Sequence, residues 1–238
     1  MSRWVTMYVG LFGLAMAACG ASTDGASHPS TRPSTAHPTP IAHSAKAATD
    51  EDVASSFLDP AEAGLAGGET RTIPAGTLSK LSICVPLNPL NTPEVAVNKR
   101  YATAKEEITV PYKGHLTQQG WVLPSEAAAS ALMKQVTRRL PQCRYNGSAS
   151  DPVDPTRRIS GISNPKTYEP DAFGWHGHQI EQLMNVNGER ASVSTVLILQ
   201  RGPVVLALDY VNYTEKAPAQ TLRTYNLSVL RRVLAHPA

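Results

Sequence analysis

The most regular hydrophobic pattern of the chain has the spacing of an α-helix. Ser125 is a favourable N-cap, and Pro141 stops a helix that ends at Leu140. Between them, one stripe carries apolar residues four positions apart: Ala128, Leu132, Val136 and Leu140. This spacing predicts an amphipathic helix whose apolar side packs on a hydrophobic core.

Alternation of apolar and polar residues predicts β-strands on both sides of this helix. The expected strands lie at about 78–87, 101–112, 115–123, 175–187, 190–201 and 203–213. Asn187-Gly188 and Arg201-Gly202 separate the last three, and Gly-containing pairs of this kind are typical of the tight turns in β-hairpins. The last third of the chain therefore predicts an antiparallel meander.

Two further helices are predicted at the ends of this region. Thr49 is a helix cap followed by acidic residues, and Asp59-Pro60 ends the short helix that begins there. The other helix, at about 217–235, has apolar residues at spacings of three and four. The stretches 64–76 and 144–172 are predicted to be irregular loops.

The resulting order is helix, strands, helix, strands, helix. With hairpin connections between the strands, this order predicts an α+β fold: a single domain, residues 50–238, in which an antiparallel sheet carries helices packed on one face.

The first eighteen residues have the order of a bacterial export signal. Arg3 precedes an apolar run, and small residues then lead to Cys19. The run from Trp4 to Ala18 has 15 residues, fewer than the roughly 20 that cross a bilayer core. Residues 1–18 are therefore predicted to be a lipoprotein signal peptide, with lipid, including palmitate, attached to Cys19. Met16 departs from the Leu, Val or Ile usual at its position, so cleavage that leaves Cys19 unmodified is the alternative.

Residues 19–49 are rich in Ser, Thr, Pro, Ala and His and contain almost no large hydrophobic residues. Such a segment cannot bury enough apolar surface to offset its conformational entropy. It is predicted to be a disordered spacer on a lipid anchor. The expected location is the cell membrane, on its extracellular face, with the membrane contacted through the Cys19 lipid.

The charge balance argues against a nucleic-acid partner. The chain has 22 basic and 19 acidic residues, a formal net charge of +3, and they are interspersed rather than gathered in a basic stripe.

The chain has three cysteines, and lipidation of Cys19 leaves Cys84 and Cys143 in a compartment where disulfides persist. A disulfide between them is predicted, and two free buried thiols are the alternative. The spacing of Cys and His residues does not suggest a zinc site.

The domain resembles the PknH-like extracellular sensor domain family, which includes free-standing actinobacterial lipoproteins. The resemblance is carried by the lipobox and spacer, the helix beginning Ser125-Glu126 and running to a cysteine, Trp175, and the late strand at 201–208. It implies an α+β domain with a cleft that senses or binds a cell-envelope ligand, without catalytic residues. Family members typically have two disulfides, and only the cysteine after the helix matches that pattern here.

The densest group of polar residues is at 175–181. Trp175, His176, His178 and Glu181 are the candidate cleft or ligand residues. Two histidines two positions apart on a strand share a face and can coordinate a metal, but a third ligand is needed and none is indicated. Elsewhere, carboxylates occur on otherwise apolar strands at Glu106, Glu107 and Asp209. A buried carboxylate can be catalytic, but one at the edge of a sheet is usually only solvated.

We expect a non-enzymatic binding protein, because the chain contains no GxSxG, phosphate-loop or HExxH motif. The leading hypothesis is a surface-tethered sensor or binding lipoprotein, without a cofactor, for an envelope ligand or a membrane protein partner. One alternative is an envelope enzyme or metal-binding protein that uses His176 and His178. The other is a structural protein-interaction module.

Overall fold

The computed structural model describes residues 49–73, 80–84, 93–98, 102–150, 154–170, 173–213 and 217–235. The predicted signal peptide, Cys19 and residues 19–48 of the predicted spacer lie outside this part of the chain. Within it, no helix is long and apolar enough to span a membrane.

The described residues form three α-helices and ten β-strands. The helices are α1 (Asp50–Ala54), α2 (Glu126–Arg139) and α3 (Ala219–Ala235), and a short 3₁₀ helix, Leu140–Cys143, follows α2. The strands are β1 (Glu69–Ile73), β2 (Lys80–Ser82), β3 (Glu94–Ala96), β4 (Ala102–Val110), β5 (Gly114–Val122), β6 (Tyr145–Ser150), β7 (Arg158–Tyr168), β8 (His176–Val186), β9 (Glu189–Arg201) and β10 (Val204–Asn212).

Eight of these strands form one antiparallel sheet in the order β1-β4-β5-β10-β9-β8-β7-β6, and β2 and β3 form a separate two-stranded ribbon. The meander predicted for the last third is β8-β9-β10, each strand paired with the next. The predicted α+β class, the antiparallel sheet and the single domain are confirmed.

The helices lie on both faces of the sheet, whereas the sequence pattern predicted one face. The reason is visible in β9, where successive residues are all apolar and alternate between two cores. Val196 and Ile198 pack on the side of α2, and Leu197 and Leu199 pack on the opposite side with α3. A central strand that is apolar on both faces needs cover on both.

The core on the α2 side, called here the α2 face, also includes the ribbon. Val136 of α2 and Trp121 of β5 pack with Leu81 of the ribbon, and all three are fully buried. Cys84 and Cys143 form the predicted disulfide, with 5.9 Å between their Cα atoms. It fastens the chain after β2 to the end of α2.

The core on the other side, called here the α3 face, contains α1, α3 and the loop after α1. Asn226 of α3 donates from its side-chain amide to the backbone carbonyls of Val193 and Tyr210, at 3.1 Å in both cases. The hydroxyl of Tyr210 donates to the carbonyl of Ala63 at 3.1 Å. These bonds join α3 and the loop to the central strands.

Three strands lie in stretches that were predicted to be irregular. β1 falls within 64–76, and β6 and β7 fall within 144–172. All three lie toward the ends of the sheet, where much of each strand is exposed, so their sequences lack the apolar alternation that marks an internal strand. The strand predicted at 78–87 is shorter among the described residues, where only Lys80–Ser82 is paired.

Candidate functional site

The apolar part of the α2 face is covered by α2 and the ribbon, and beyond it the same face carries polar side chains. They come from four neighbouring strands: Lys105 and Glu107 of β4, Thr117 and Gln119 of β5, Asp209 of β10, and Ser194 of β9. The strand register places Thr117 directly between Glu107 and Asp209. A polar group of this kind in the middle of a large sheet needs a physical explanation, because central strands usually bury apolar residues.

A cleft of about 360 Å³ lies between this polar region and the ribbon. Its lining residues are Ser82, Cys84, Glu94, Lys105, Thr117, Gln119, Val196, Ala207, Leu208 and Asp209. This volume is at the small end of the range for small-molecule pockets. Because Cys84 lines the cleft and is joined to Cys143, the disulfide holds one wall of the cleft against the helix that packs on the sheet.

Gln119 is a buried polar residue in this cleft, with 8 % of its surface exposed. Its side-chain amide makes no hydrogen bond with any residue that the structure describes. The amide is not one of the buried polar atoms that lack a partner, so the exposed part of Gln119 includes it. The amide is therefore available to a molecule that enters the cleft.

Asp209 is partly buried in the same cleft as Gln119 and accepts a hydrogen bond from the Ser194 hydroxyl at 2.7 Å. Burial raises the pKa of Asp209 to about 6, and the Ser194 hydrogen bond opposes this rise. Across the described ranges, no basic side chain forms an ion pair with it. Its negative charge at neutral pH is thus left without a cationic partner.

The other charged residues around the cleft pair with each other. Lys105 binds Glu107 at 2.6 Å, and Lys80 binds Glu94 at 2.7 Å. For Glu107, burial alone would raise the pKa, but the hydrogen bond and charge of Lys105, with further help from nearby positive groups, lower it overall.

Thr117 is held in place by His115, which lies on the same strand. The imidazole contacts the Thr109 hydroxyl through Nδ1 at 2.7 Å and the Thr117 hydroxyl through Nε2 at 2.9 Å. Burial lowers the pKa of His115; Glu107 opposes this effect and Lys105 adds to it. The ring is therefore neutral at neutral pH, with one hydroxyl on each side.

The structure places the four residues singled out in the sequence at different locations. Trp175 is fully buried in the core of the α3 face, where its indole Nε1 donates to the Leu234 carbonyl at 3.2 Å and Arg201 stacks 4.6 Å from its ring. Glu181 accepts from Lys166 at 2.7 Å and from the Gln179 amide at 2.9 Å.

His176 is exposed and His178 is half-buried. Nε2 of His178 contacts the Thr137 hydroxyl of α2 at 2.8 Å, and burial lowers the pKa of His178. A second cleft, of about 400 Å³, is lined by Thr137, Leu140, Pro141, Arg144, Pro165, Lys166, Thr167 and His178. His178 lines this second cleft, and no three His, Cys, Asp or Glu side chains in the described part of the chain are grouped as for a metal.

The polar cleft was only partly visible in the sequence. Asp209 stands out there because it interrupts an apolar strand, but β10 is a central strand of the sheet and not its edge. Gln119 and Lys105 give no such signal, because their proximity to Asp209 depends on the pairing of β4, β5 and β10.

No protein-family model and no curated protein matches the chain. Among solved structures, the chain is similar to the extracellular domain of PknH from Mycobacterium tuberculosis, with 10% sequence identity and a TM-score of 0.49. The similarity covers 80% of this chain and 96% of that chain.

Proposed function

We propose that this chain is an exported, lipid-anchored binding protein that holds a small polar ligand of the cell envelope in the cleft beneath the ribbon. One observation carries the proposal: Gln119 and Asp209 line the same cleft, and neither the amide of the first nor the charge of the second is matched by the described part of the protein. The buried charge of Asp209 costs stability in the free protein, and a bound ligand that pairs with it would offset that cost.

A binding role suits these groups better than a catalytic one. The ring of His115 contacts hydroxyls through both nitrogens, so no carboxylate accepts from it in the way that orients a catalytic histidine. The hydroxyl of Ser194 donates to Asp209 and is buried. These contacts position hydrogen-bonding groups, and we propose that the cleft binds its ligand without changing it.

The proposed location comes from the sequence alone. Cleavage before Cys19 and lipid on its thiol would keep the domain outside the cell membrane, where it meets wall and lipid components. A lipidated cysteine that carries a diacylglyceryl group and a further acyl chain gives stable attachment, whereas a single chain binds only marginally.

Hydrogen exchange of the full-length chain, extracted in mild detergent, tests the proposal. Soluble fractions of wall and lipid components are added, and exchange is followed on β4, β5 and β10. We expect at least one fraction to slow exchange on these strands, and the effect to disappear in Gln119→Leu. His178→Ala, in the second cleft, is the matched control and should respond like the unaltered chain.

Two results would argue against the proposal. One is that no fraction changes exchange on these three strands. The other is that protection falls on the surface around His178 instead, which would favour the alternative use of that histidine. A protected cleft with a protein as the bound component would support the interaction-module alternative.

A further inference from the structure

The charged side chains around the cleft form two ion pairs, and one carboxylate, that of Asp209, has no ion-pair partner among the described residues. Lys105 is matched by Glu107, and Lys80 is matched by Glu94. Among the described residues, Asp209 has only the neutral hydroxyl of Ser194. A carboxylate that has lost much of its hydration and has no ion-pair partner attracts a cation more strongly than one in bulk water.

The unmatched amide lies next to this carboxylate. Gln119 of β5 lies opposite Ala207 of β10 in the strand register. Asp209 lies two residues after Ala207 on β10 and therefore on the same face of the sheet. Side chains in this diagonal relation are roughly 7 Å apart at their Cβ atoms and lean within reach of one small molecule. A glutamine amide both donates and accepts, so it suits a hydroxyl or an amide group.

We infer that the ligand of this cleft carries an ammonium group beside a hydroxyl or amide group, as an amino sugar does, with the ammonium on Asp209 and the hydroxyl or amide on Gln119. The inference rests on the proposed function, because it names the chemical class of ligand for the same cleft.

Other classes of ligand fit the cleft less well. A neutral ligand would leave the Asp209 carboxylate desolvated and unpaired, and an anionic ligand would be repelled by it. An ammonium group would form a charge-assisted hydrogen bond, which is roughly twice as strong as a neutral one. A cleft of about 360 Å³ suits one monomeric unit rather than a polymer.

Binding of this class should depend on pH. With a pKa of about 6, Asp209 is ionised at neutral pH and becomes neutral as the pH falls through that value. The groups that face it or lie around the cleft are Lys105 and Glu107 of β4, His115 and Thr117 of β5, Ser194 of β9, Lys80 and Glu94 of the ribbon, and Tyr213 after β10. His115 gains positive charge in acid and so acts in the same direction as Asp209.

Titration with glucosamine and glucose tests the inference, because the two sugars differ in one ammonium group. The full-length chain in detergent is titrated with each at pH 7.0, where most of the glucosamine is protonated and Asp209 is ionised, and binding is read from exchange protection on β5 and β10 and from calorimetry. We expect glucosamine to bind at least about tenfold more tightly than glucose, as one charge-assisted contact would give. At pH 5 the glucosamine affinity should fall by about tenfold, in line with the ionised fraction of a group of pKa near 6.

Asp209→Asn keeps the shape and a side-chain oxygen that accepts from the Ser194 hydroxyl, but removes the charge. It should abolish the preference for glucosamine, while His178→Ala keeps it. Thermal unfolding of each variant establishes that it is folded, so a loss of preference is not a loss of structure.

Equal affinity for the two sugars, or a preference that survives in Asp209→Asn, would overturn the inference on ligand class. Failure of glucosamine, ethanolamine and lysine amide to bind would also overturn it if envelope fractions still protect the cleft. In that case the proposed function stands and only the ligand class is wrong. If no fraction protects the cleft, the proposed function itself fails.

Discussion

At the scale of single residues, the cleft contains one group, the Asp209 carboxylate, that weakens the fold. Asp209 interrupts a strand whose other described residues are mostly buried and apolar, and Gln119 beside it presents its amide to the cleft. An apolar residue at either position would continue the core of the α2 face. A charged residue that costs stability and lines a cleft is expected at a binding site, where it interacts with a ligand instead of with the protein.

Replacing Asp209 with asparagine should therefore stabilise the free protein above about pH 6. Its folded-state pKa, about 6, is higher than the ordinary value of 3.8, so the folded state holds the proton more tightly than the unfolded chain does. The carboxylate then lowers the free energy of unfolding as the pH rises from 3.8 to 6, and this cost remains at higher pH. Urea unfolding at pH 8 should show the unaltered chain to be less stable than the Asp209→Asn variant by roughly 1–3 kcal/mol.

The difference should disappear below about pH 3, where the carboxyl is protonated in both states. Glu107→Gln is the matched control with the opposite sign. The pKa of Glu107 is lowered by Lys105 in the folded state, so its carboxylate contributes stability that is present above its unfolded pKa and lost in acid. A destabilised Asp209→Asn variant at pH 8 would contradict the expected cost of this charge.

Gly64 is a residue at which a single methyl group should be poorly tolerated. Its φ is +71°, and a Cβ there would overlap the hydroxyl of Tyr225. Gly67 provides a control, because its φ is +78° but nothing lies within 4 Å of the same added atom. Gly67→Ala should cost roughly 1–2 kcal/mol for the left-handed backbone, and Gly64→Ala should cost about 1–2 kcal/mol more.

The additional loss has a specific cause, since the ring of Tyr225 lies edge-on to Tyr210 with 5.9 Å between centroids. Displacing one ring disturbs the other. In a Tyr225→Ala background, the cost of Gly64→Ala in urea unfolding should fall to that of Gly67→Ala. Equal costs in the unaltered background would show that contact with Tyr225 plays no part.

At the scale of elements, the sequence predicts the helices and strands that have a clear local pattern of apolar residues, caps and turns. The helix α2 begins after its Ser125 cap and runs to Arg139, close to the predicted range, because cap, apolar stripe and proline all agree. The strands β8, β9 and β10 lie within a residue or two of their predicted positions, because their apolar runs are long and bounded by turns.

Other elements depend on contacts that a local pattern does not contain. β6 is exposed along nearly its whole length and is held by pairing with β7, so its sequence of Gly, Ser and Asn reads as a loop. β3 has three residues and needs β2 as a partner. The cleft was missed for the same reason, because it forms where the ribbon approaches strands that are distant in sequence.

The ribbon is the element that the disulfide should affect most. Replacing both Cys84 and Cys143 with serine removes a cross-link between residues 59 positions apart, for which chain entropy predicts a loss of up to about 4 kcal/mol. Denaturant unfolding measures this loss, and hydrogen exchange should show faster exchange on the ribbon than on β9. Equal acceleration across both would indicate that the disulfide stabilises the domain as a whole and does not hold the wall of the cleft.

At the scale of the whole molecule, the two faces of the sheet are covered to different extents. Among the described residues, the α3 face has α1, a loop and a helix of 17 residues, whereas the α2 face has a helix of 14 residues and a short ribbon. The cleft lies on the α2 face, and its position on central strands gives it rigid walls. A cleft on such a rigid scaffold suits binding, because little ordering is needed when the ligand arrives.

The location of this domain in the cell rests on Cys19, and replacing that residue gives the test at this scale. The unaltered chain should incorporate labelled palmitate and remain with the membrane after cell fractionation. Cys19→Ser should carry no label and appear in the soluble exported fraction, because the predicted attachment is the lipid on that thiol. Cys84→Ser also removes a thiol and serves as the control. This variant should still incorporate labelled palmitate and remain in the membrane fraction.

Met16 allows the two predicted processing routes to be separated. If lipoprotein processing operates, Met16→Leu brings the site closer to the usual pattern and should label as well as or better than the unaltered chain. If the ordinary signal peptidase cuts instead, the unaltered chain is unlabelled and soluble, and the predicted anchor is wrong. Because the residues that line the cleft all lie within 82–209, glucosamine binding by the detergent-extracted chain should be the same with and without the lipid. A loss of binding in Cys19→Ser would instead mean that the anchor contributes to the site.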